Sequence, residues 1–165
     1  LIMKKSFLLV LIGILAASTA WGAQITINAT VASKLIVDVD AAAWAVTLDN
    51  EGGAILDDTQ GVLTVKASKS SYTVTFQSAH SGVLLNGTES IPYLIKVDTS
   101  GWNDGVQINN LSSYTQLTTS KTIVFKKRTP TVGKAFDIGF NIAAYTEYYV
   151  DGAYSDTITI SISSP

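Results

Sequence analysis

The chain has 165 residues, 47% hydrophobic, with 11 Lys and Arg against 13 Asp and Glu, one His and no Cys. That length suits one domain with a sizeable core. The lack of a basic surplus argues against nucleic acid, whose phosphates demand clustered Lys and Arg. Without cysteine, packing, backbone pairing or a partner must hold the fold.

The first residues read as a targeting segment. Met3 fits an initiator, Lys4 and Lys5 give a positive start, and Phe7 to Ala17 form an apolar run of 11 residues. Small residues follow, from Ala16 to Ala20. This is the layout of a secretory signal. The run is too short for a permanent membrane span, which takes about 20 residues. Cleavage after Gly22 puts small residues at both −3 (Ala20) and −1 (Gly22); Ala20 and Ala23 are alternative sites. The expectation is a signal peptide over 1–22 and one exported domain over 23–165. With Lys4 and Lys5 removed, 9 basic residues face 13 acidic ones, a net charge of −4. No second long apolar run follows, so the mature chain is not expected to insert in a membrane.

Period-2 alternation dominates the remainder, with Thr, Val, Ile and Tyr abundant, as strands prefer. The first run is Ile25/Ile27/Ala29/Val31, with Thr26, Asn28 and Thr30 on the other face. Leu35/Val37/Val39 comes next, and Ala41 to Ala45 suggests a short helical turn. An acidic loop is expected over Asn50–Asp58, around Gly52-Gly53. Then come Leu63/Val65/Ala67 and Tyr72/Val74/Phe76, closed by turns at Ser81-Gly82 and Asn86-Gly87. Tyr93/Ile95/Val97 leads into a loop, Ser100 to Gly105, around Trp102. Ile123/Phe125 precedes a basic loop, Lys126 to Lys134, with Pro130 and Gly133. Phe136/Ile138/Phe140/Ile142 follows, then a hairpin signal at Asp151-Gly152. Ile158/Ile160/Ile162 closes the series. One apolar and one polar face per run is the mark of half-buried antiparallel sheets. Seven or eight such strands predict an all-β sandwich.

No motif for catalysis, a cofactor or a metal emerges. His80 sits in a turn with no Cys or His cluster around it, and is expected to be exposed. Asp38 and Asp40 share a strand face, while Asp49, Glu51, Asp57 and Asp58 crowd one loop. None follows the oxygen spacing of a calcium site, and a solvated loop is expected. The carboxylates also lack a glycosidase motif. Trp44, Trp102, Tyr114, Tyr145, Tyr148 and Tyr149 could form a sugar-stacking platform. However, Tyr145 and Tyr149 differ in parity from Tyr148, and core packing is expected for most of the six. Gly87, Gly101 and Gly105 are turn glycines without a phosphate-loop pattern. Lys126-Lys127-Arg128 reads as a solvated loop.

Three segments carry a resemblance. Gly152-Ala-Tyr-Ser-Asp-Thr-Ile-Thr-Ile-Ser-Ile162 resembles the G-x-Y-x-D-T-[VI]-x-[VI]-x-[VI] ending of chaperone–usher pilus subunits, in particular the spore coat protein U (archaic) group. Gly61 to Phe76 resembles that group's central strand pair. Ser81-Gly-Val-Leu84 with Ile91-Pro-Tyr-Leu94 resembles its G-x-L…I-P-Y-x-[LI] segment. Many relatives carry a cysteine pair that this chain lacks; the related alternate class of pilins often lacks it too.

The resemblance implies an immunoglobulin-like β-sandwich of the pilin type, missing its final strand. It implies a periplasmic chaperone and an outer-membrane usher as partners, and neighbouring pilus subunits joined head to tail. Residues 23–32 would be the donor strand, with Ile25, Ile27, Ala29 and Val31 entering the next subunit's groove. Ile158, Ile160 and Ile162 would line that groove on the C-terminal strand. The expected function is a structural subunit of a surface pilus, not an enzyme, and without cofactor. The second reading is a secreted monomeric β-sandwich adhesin or carbohydrate-binding module, which would pair its N-terminal strand within its own fold.

Overall fold

The computed structural model describes residues 26–165. The expected signal peptide, and Ile25 of the N-terminal run, lie outside the described residues. The chain divides into two units, one through Val31 and one from Ala32 to Pro165. In the first unit, residues 26–31 carry no strand, although their sequence alternates. Ile27 and Val31 are 86% and 88% exposed. Alternation suits a segment to a sheet, but a strand exists only where a neighbour takes its backbone hydrogen bonds.

The second unit is all-β and antiparallel. The strands are β1 (Leu35–Val39), β2 (Ile55–Ala67), β3 (Tyr72–Ser78), β4 (Val83–Asn86), β5 (Glu89–Pro92), β6 (Leu94–Asp98), β7 (Val106–Asn109), β8 (Lys121–Phe125), β9 (Lys134–Ile142) and β10 (Ile158–Ser163). The only helical element among the described residues is a 3-10 turn, Ser100–Trp102. Among the described residues, no helix is long and apolar enough to cross a membrane. One sheet runs β1-β2-β9-β6 and the other β10-β3-β8-β7; β4 and β5 form a hairpin through Gly87, at φ 61°. Among the described residues the strands number ten, not seven or eight: residues 26–31 form none, while the short strands β4, β5 and β7 join the seven anticipated runs.

The two sheets face each other across one core. Alternation decides what enters it: Leu63, Val65, Tyr72, Val74, Phe76, Ile123 and Phe125 are fully buried, while their neighbours in sequence are less so. Aromatic contacts bind the layers. Phe125 of β8 packs on Phe136 of β9 at 5.7 Å, and Tyr72 stacks on Phe125 at 4.8 Å. Trp102, expected in a loop, is buried against both phenylalanines.

Three local expectations are corrected. The acidic segment is not all loop: β2 begins at Ile55, so Asp57 and Asp58 lie within a strand, at a register shift between Asp57 and Gly61. Asp58 takes Lys96 Nζ at 2.5 Å and the Tyr114 hydroxyl at 2.8 Å, which anchors an acidic residue on the sheet's outer face. Ala41–Ala45 forms no helical turn. From 43 to 49 the chain runs without strand pairing, and Trp44, Val46 and Leu48 are half-buried against the core. Asp151-Gly152 makes no hairpin, because the flanking strands β9 and β10 belong to different sheets. Residues 143–157 instead cross from one sheet to the other.

Candidate functional site

The sheets leave one side of the sandwich open. β1 pairs only with β2, and β10 only with β3, among the described residues. Each is therefore an edge strand with one row of backbone groups unpaired. The two edges lie beside each other, one from each sheet. Between and beneath them is a cleft of 690 Å³. Val37 and Val39 border it from β1, and Ile158 and Ile160 from β10. Phe76, Ile95, Ile138 and Phe140 also line it.

Burial along the edge strands shows what the opening costs. Leu35, Val37 and Val39 point inward, as do Ile158, Ile160 and Ile162, yet all six are only half-buried. The next strands inward hold Val65, Val74 and Phe76 at full burial. A continuous apolar strip of this kind, flanked by open sheet edges, is what soluble proteins ordinarily cover. Ile162 shares the face of Ile158 and Ile160 but is not among the residues bordering the cleft.

The unpaired segment 43–49 adds to the same opening. Ala41 to Trp44 and Val46 border the cleft. The indole of Trp44 meets Phe140 edge-on at 6.4 Å and lies over Gly61. A Cβ at Gly61 would stand 2.6 Å from Trp44 Cζ2, so this strand position must lack a side chain. Trp44 Nε1 is buried without a hydrogen-bond partner.

Asp156 and Tyr93, which also border the cleft, belong to a polar knot. Asp156 accepts hydrogen bonds from Ser78 Oγ at 2.6 Å, Tyr93 OH at 2.5 Å, Thr157 N at 2.7 Å and His80 N at 3.1 Å. Burial pushes this carboxyl up, but the hydrogen bonds, that of Ser78 foremost, hold it below its ordinary value. Burial and the hydrogen bond to Asp156 push the Tyr93 hydroxyl well above the usual phenol range. Asp156 belongs to the Gly152–Ile162 segment and Tyr93 to the Ile91–Leu94 segment, so two pieces of the sequence resemblance meet in space.

The remaining candidates do not converge. His80 is a turn residue with its side chain 40% exposed, and its Nδ1 lies 3.1 Å from Asp156. Asp38 and Asp40 take nearby backbone N–H groups of β1 and β2. Among the described residues, no group of three or more His, Cys, Asp or Glu could hold a metal ion. Tyr145 and Tyr149 pack ring to ring at 4.6 Å, while Tyr148 is exposed, as the parity implied. Trp102 is in the core, and Tyr114 is tied to Asp58; burial, together with that carboxylate, pushes its hydroxyl up to about 12. The six aromatics therefore form no shared platform. Lys127 pairs with Asp104.

A scan against protein-family models and a search of curated proteins both return no match.

Proposed function

We propose that this protein is a structural subunit of a surface pilus, built by donor-strand complementation. The observation that carries this is the apolar cleft between two edge strands, β1 and β10, whose inward residues stay half-buried. The strand orders support an incomplete immunoglobulin-like sandwich. On this reading the order β1-β2-β9-β6 would correspond to the A-B-E-D sheet of that fold, with β7 and β8 as an addition between D and E. In the second sheet β3 and β10 would then stand for C and F, and among the described residues no strand pairs with the free side of β10, where G would lie.

The vacancy asks for one extended segment with alternating apolar residues and free backbone groups. Residues 24–32 have that chemistry, and those described are unpaired and exposed. Entry of this segment into a second copy is β-strand addition, the mode by which pilins are complemented by a donated strand. Four docked side chains, Ile25, Ile27, Ala29 and Val31, would contribute roughly 5–10 kcal/mol by area burial. The contact is head to tail and does not close on itself, so it propagates a fibre. On this reading a periplasmic chaperone covers the cleft before assembly, an outer-membrane usher orders the exchange, and the chain is exported through a cleaved signal.

The test adds a synthetic peptide of residues 24–33 to the full mature chain. A ligand of the native state alone stabilises by about 2.7 kcal/mol at 100 times its Kd. The expected result is a melting temperature that climbs with peptide concentration, and no response to a peptide with its two faces interchanged. A chain that already melts cooperatively and ignores the peptide would favour the monomeric adhesin or carbohydrate-binding reading.

A further inference from the structure

We propose that Asp156 is a positioning residue for strand capture, fixing the β10 wall of the cleft without itself touching the incoming strand. This rests on the reading of the cleft as a strand acceptor.

The Asp156 side chain is only 2% exposed, although the residue borders the cleft. Its Oδ2 accepts from the Ser78 and Tyr93 hydroxyls. Its Oδ1 accepts from the backbone N–H of His80 and of Thr157, with the His80 ring nitrogen also in range. A carboxylate offers about four lone-pair sites. All are taken, so no acceptor capacity is left for a ligand.

The donors come from distinct elements. Ser78 ends β3, His80 lies in the following turn, Tyr93 stands between β5 and β6, and Thr157 immediately precedes β10. Tyr93 is itself fixed, its ring stacked on Phe140 at 5.5 Å. Ser78 Oγ meanwhile accepts from Gly82 N at 2.7 Å, which locks the turn. One buried charge thus ties the start of β10 to both sheets. This matters because β10 is an edge: its ladder to β3 holds one side, and on the other side it has no strand among the described residues. A strand entering the cleft must match the spacing between β10 and the opposite wall, and a wall free to drift would lose that match.

The titratable groups facing Asp156 are the His80 imidazole and the Tyr93 hydroxyl; Asp38 also borders the cleft. The depressed folded-state pKa of Asp156 means that its stabilisation is complete above the ordinary carboxylate range. It is lost only as pH falls through the lower, folded value.

The experiment measures binding of a fluorescein-labelled peptide of residues 24–33 to the full mature chain by anisotropy, with urea unfolding in parallel. Asp156→Ala should weaken binding by about 30-fold or more, because it strands several buried donors. Asp156→Asn should stay within about threefold at neutral pH, since its oxygen keeps the N–H donors and its NH₂ can donate to the Tyr93 hydroxyl once that rotates, Ser78 Oγ already accepting from Gly82 N and His80 N. Ser78→Ala should fall between. Wild-type binding should drop as pH falls below the ordinary carboxylate range, where Asp156→Asn should stay flatter. The peptide carries no titratable side chain. If Asp156→Ala does not fold, Ser78→Ala and the pH profile of Asp156→Asn decide. The proposal is overturned if Asp156→Ala binds like wild type, if Asn is as damaging as Ala, or if the two pH profiles coincide. A wild-type chain that binds no peptide removes the acceptor reading itself.

Discussion

Ile27→Asp should abolish fibre growth while leaving the subunit folded. Ile27 is almost fully exposed, so a carboxylate there disturbs little in the free chain. In the donor role the same side chain would enter a neighbour's cleft, lined by Phe76, Ile138, Phe140 and Ile160. Nothing in that lining offers a cation. Burying an unpaired carboxylate costs several kcal/mol, so the junction should weaken by about a thousandfold or more. Ala29→Phe should act by shape instead, overpacking a shallow pocket at about 1–3 kcal/mol. Asn28→Asp, on the opposite face, should assemble nearly normally. Expression of each variant with chaperone and usher, followed by counts of surface fibres and of periplasmic chaperone complexes, checks all three. On the proposed reading chaperone complexes should persist throughout, since the chaperone would fill the cleft without using residues 25–31. Normal fibres from Ile27→Asp would rule out this segment as the donor.

The second large effect is expected on the acceptor side. Ile160 faces Phe76 across the β10–β3 ladder and borders the cleft, half-buried. Ile160→Asp should be tolerated by the open subunit, where the edge is free, and should block strand entry by several kcal/mol. The two variants are complementary. On the proposed reading Ile27→Asp would have a sound cleft and a spoiled donor, and Ile160→Asp the reverse. Each alone should remain monomeric, and an equimolar mixture should stop at a pair. Light scattering of the mixture distinguishes this from open-ended growth. Long polymers from the mixture, or from Ile160→Asp alone, would contradict the head-to-tail account.

Strand content was legible where one side of an element meets the core and the other meets solvent, as in β3, β9 and β10. It failed where tertiary partners override local composition. Asp57 and Asp58 read as loop because two carboxylates seldom start a strand; Lys96 and Tyr114, distant in sequence, hold Asp58 on the sheet's outer face. Ala41–Ala45 invited a helical reading through alanine propensity, yet Trp44 finds its place over Gly61, a position clear of side-chain atoms. Asp151-Gly152 carries a hairpin dipeptide, but a dipeptide cannot reveal that its flanking strands enter different sheets. The β10 side of the cleft could be anticipated from Ile158 and Ile160, and the hydrophobic face of β1 from its alternation. Trp44, Val46 and the Asp156 knot could not. A single aspartate in a strand-like ending gives no sign that Ser78, Tyr93 and His80 will gather around it.

The absence of cysteine makes one measurement especially direct. Ile27→Cys combined in turn with Ile158→Cys, Ile160→Cys or Ile162→Cys places one thiol on the proposed donor segment and one on the β10 face. Mild oxidation of assembled protein, followed by non-reducing electrophoresis, reads which thiols lie within disulfide reach, a Cα separation of about 4.4–6.8 Å. At least one pairing should yield a ladder of covalent multimers, lost when either cysteine is omitted and suppressed by dilution before assembly. A link confined to single chains and indifferent to dilution, or no link in any pairing, would contradict head-to-tail strand donation.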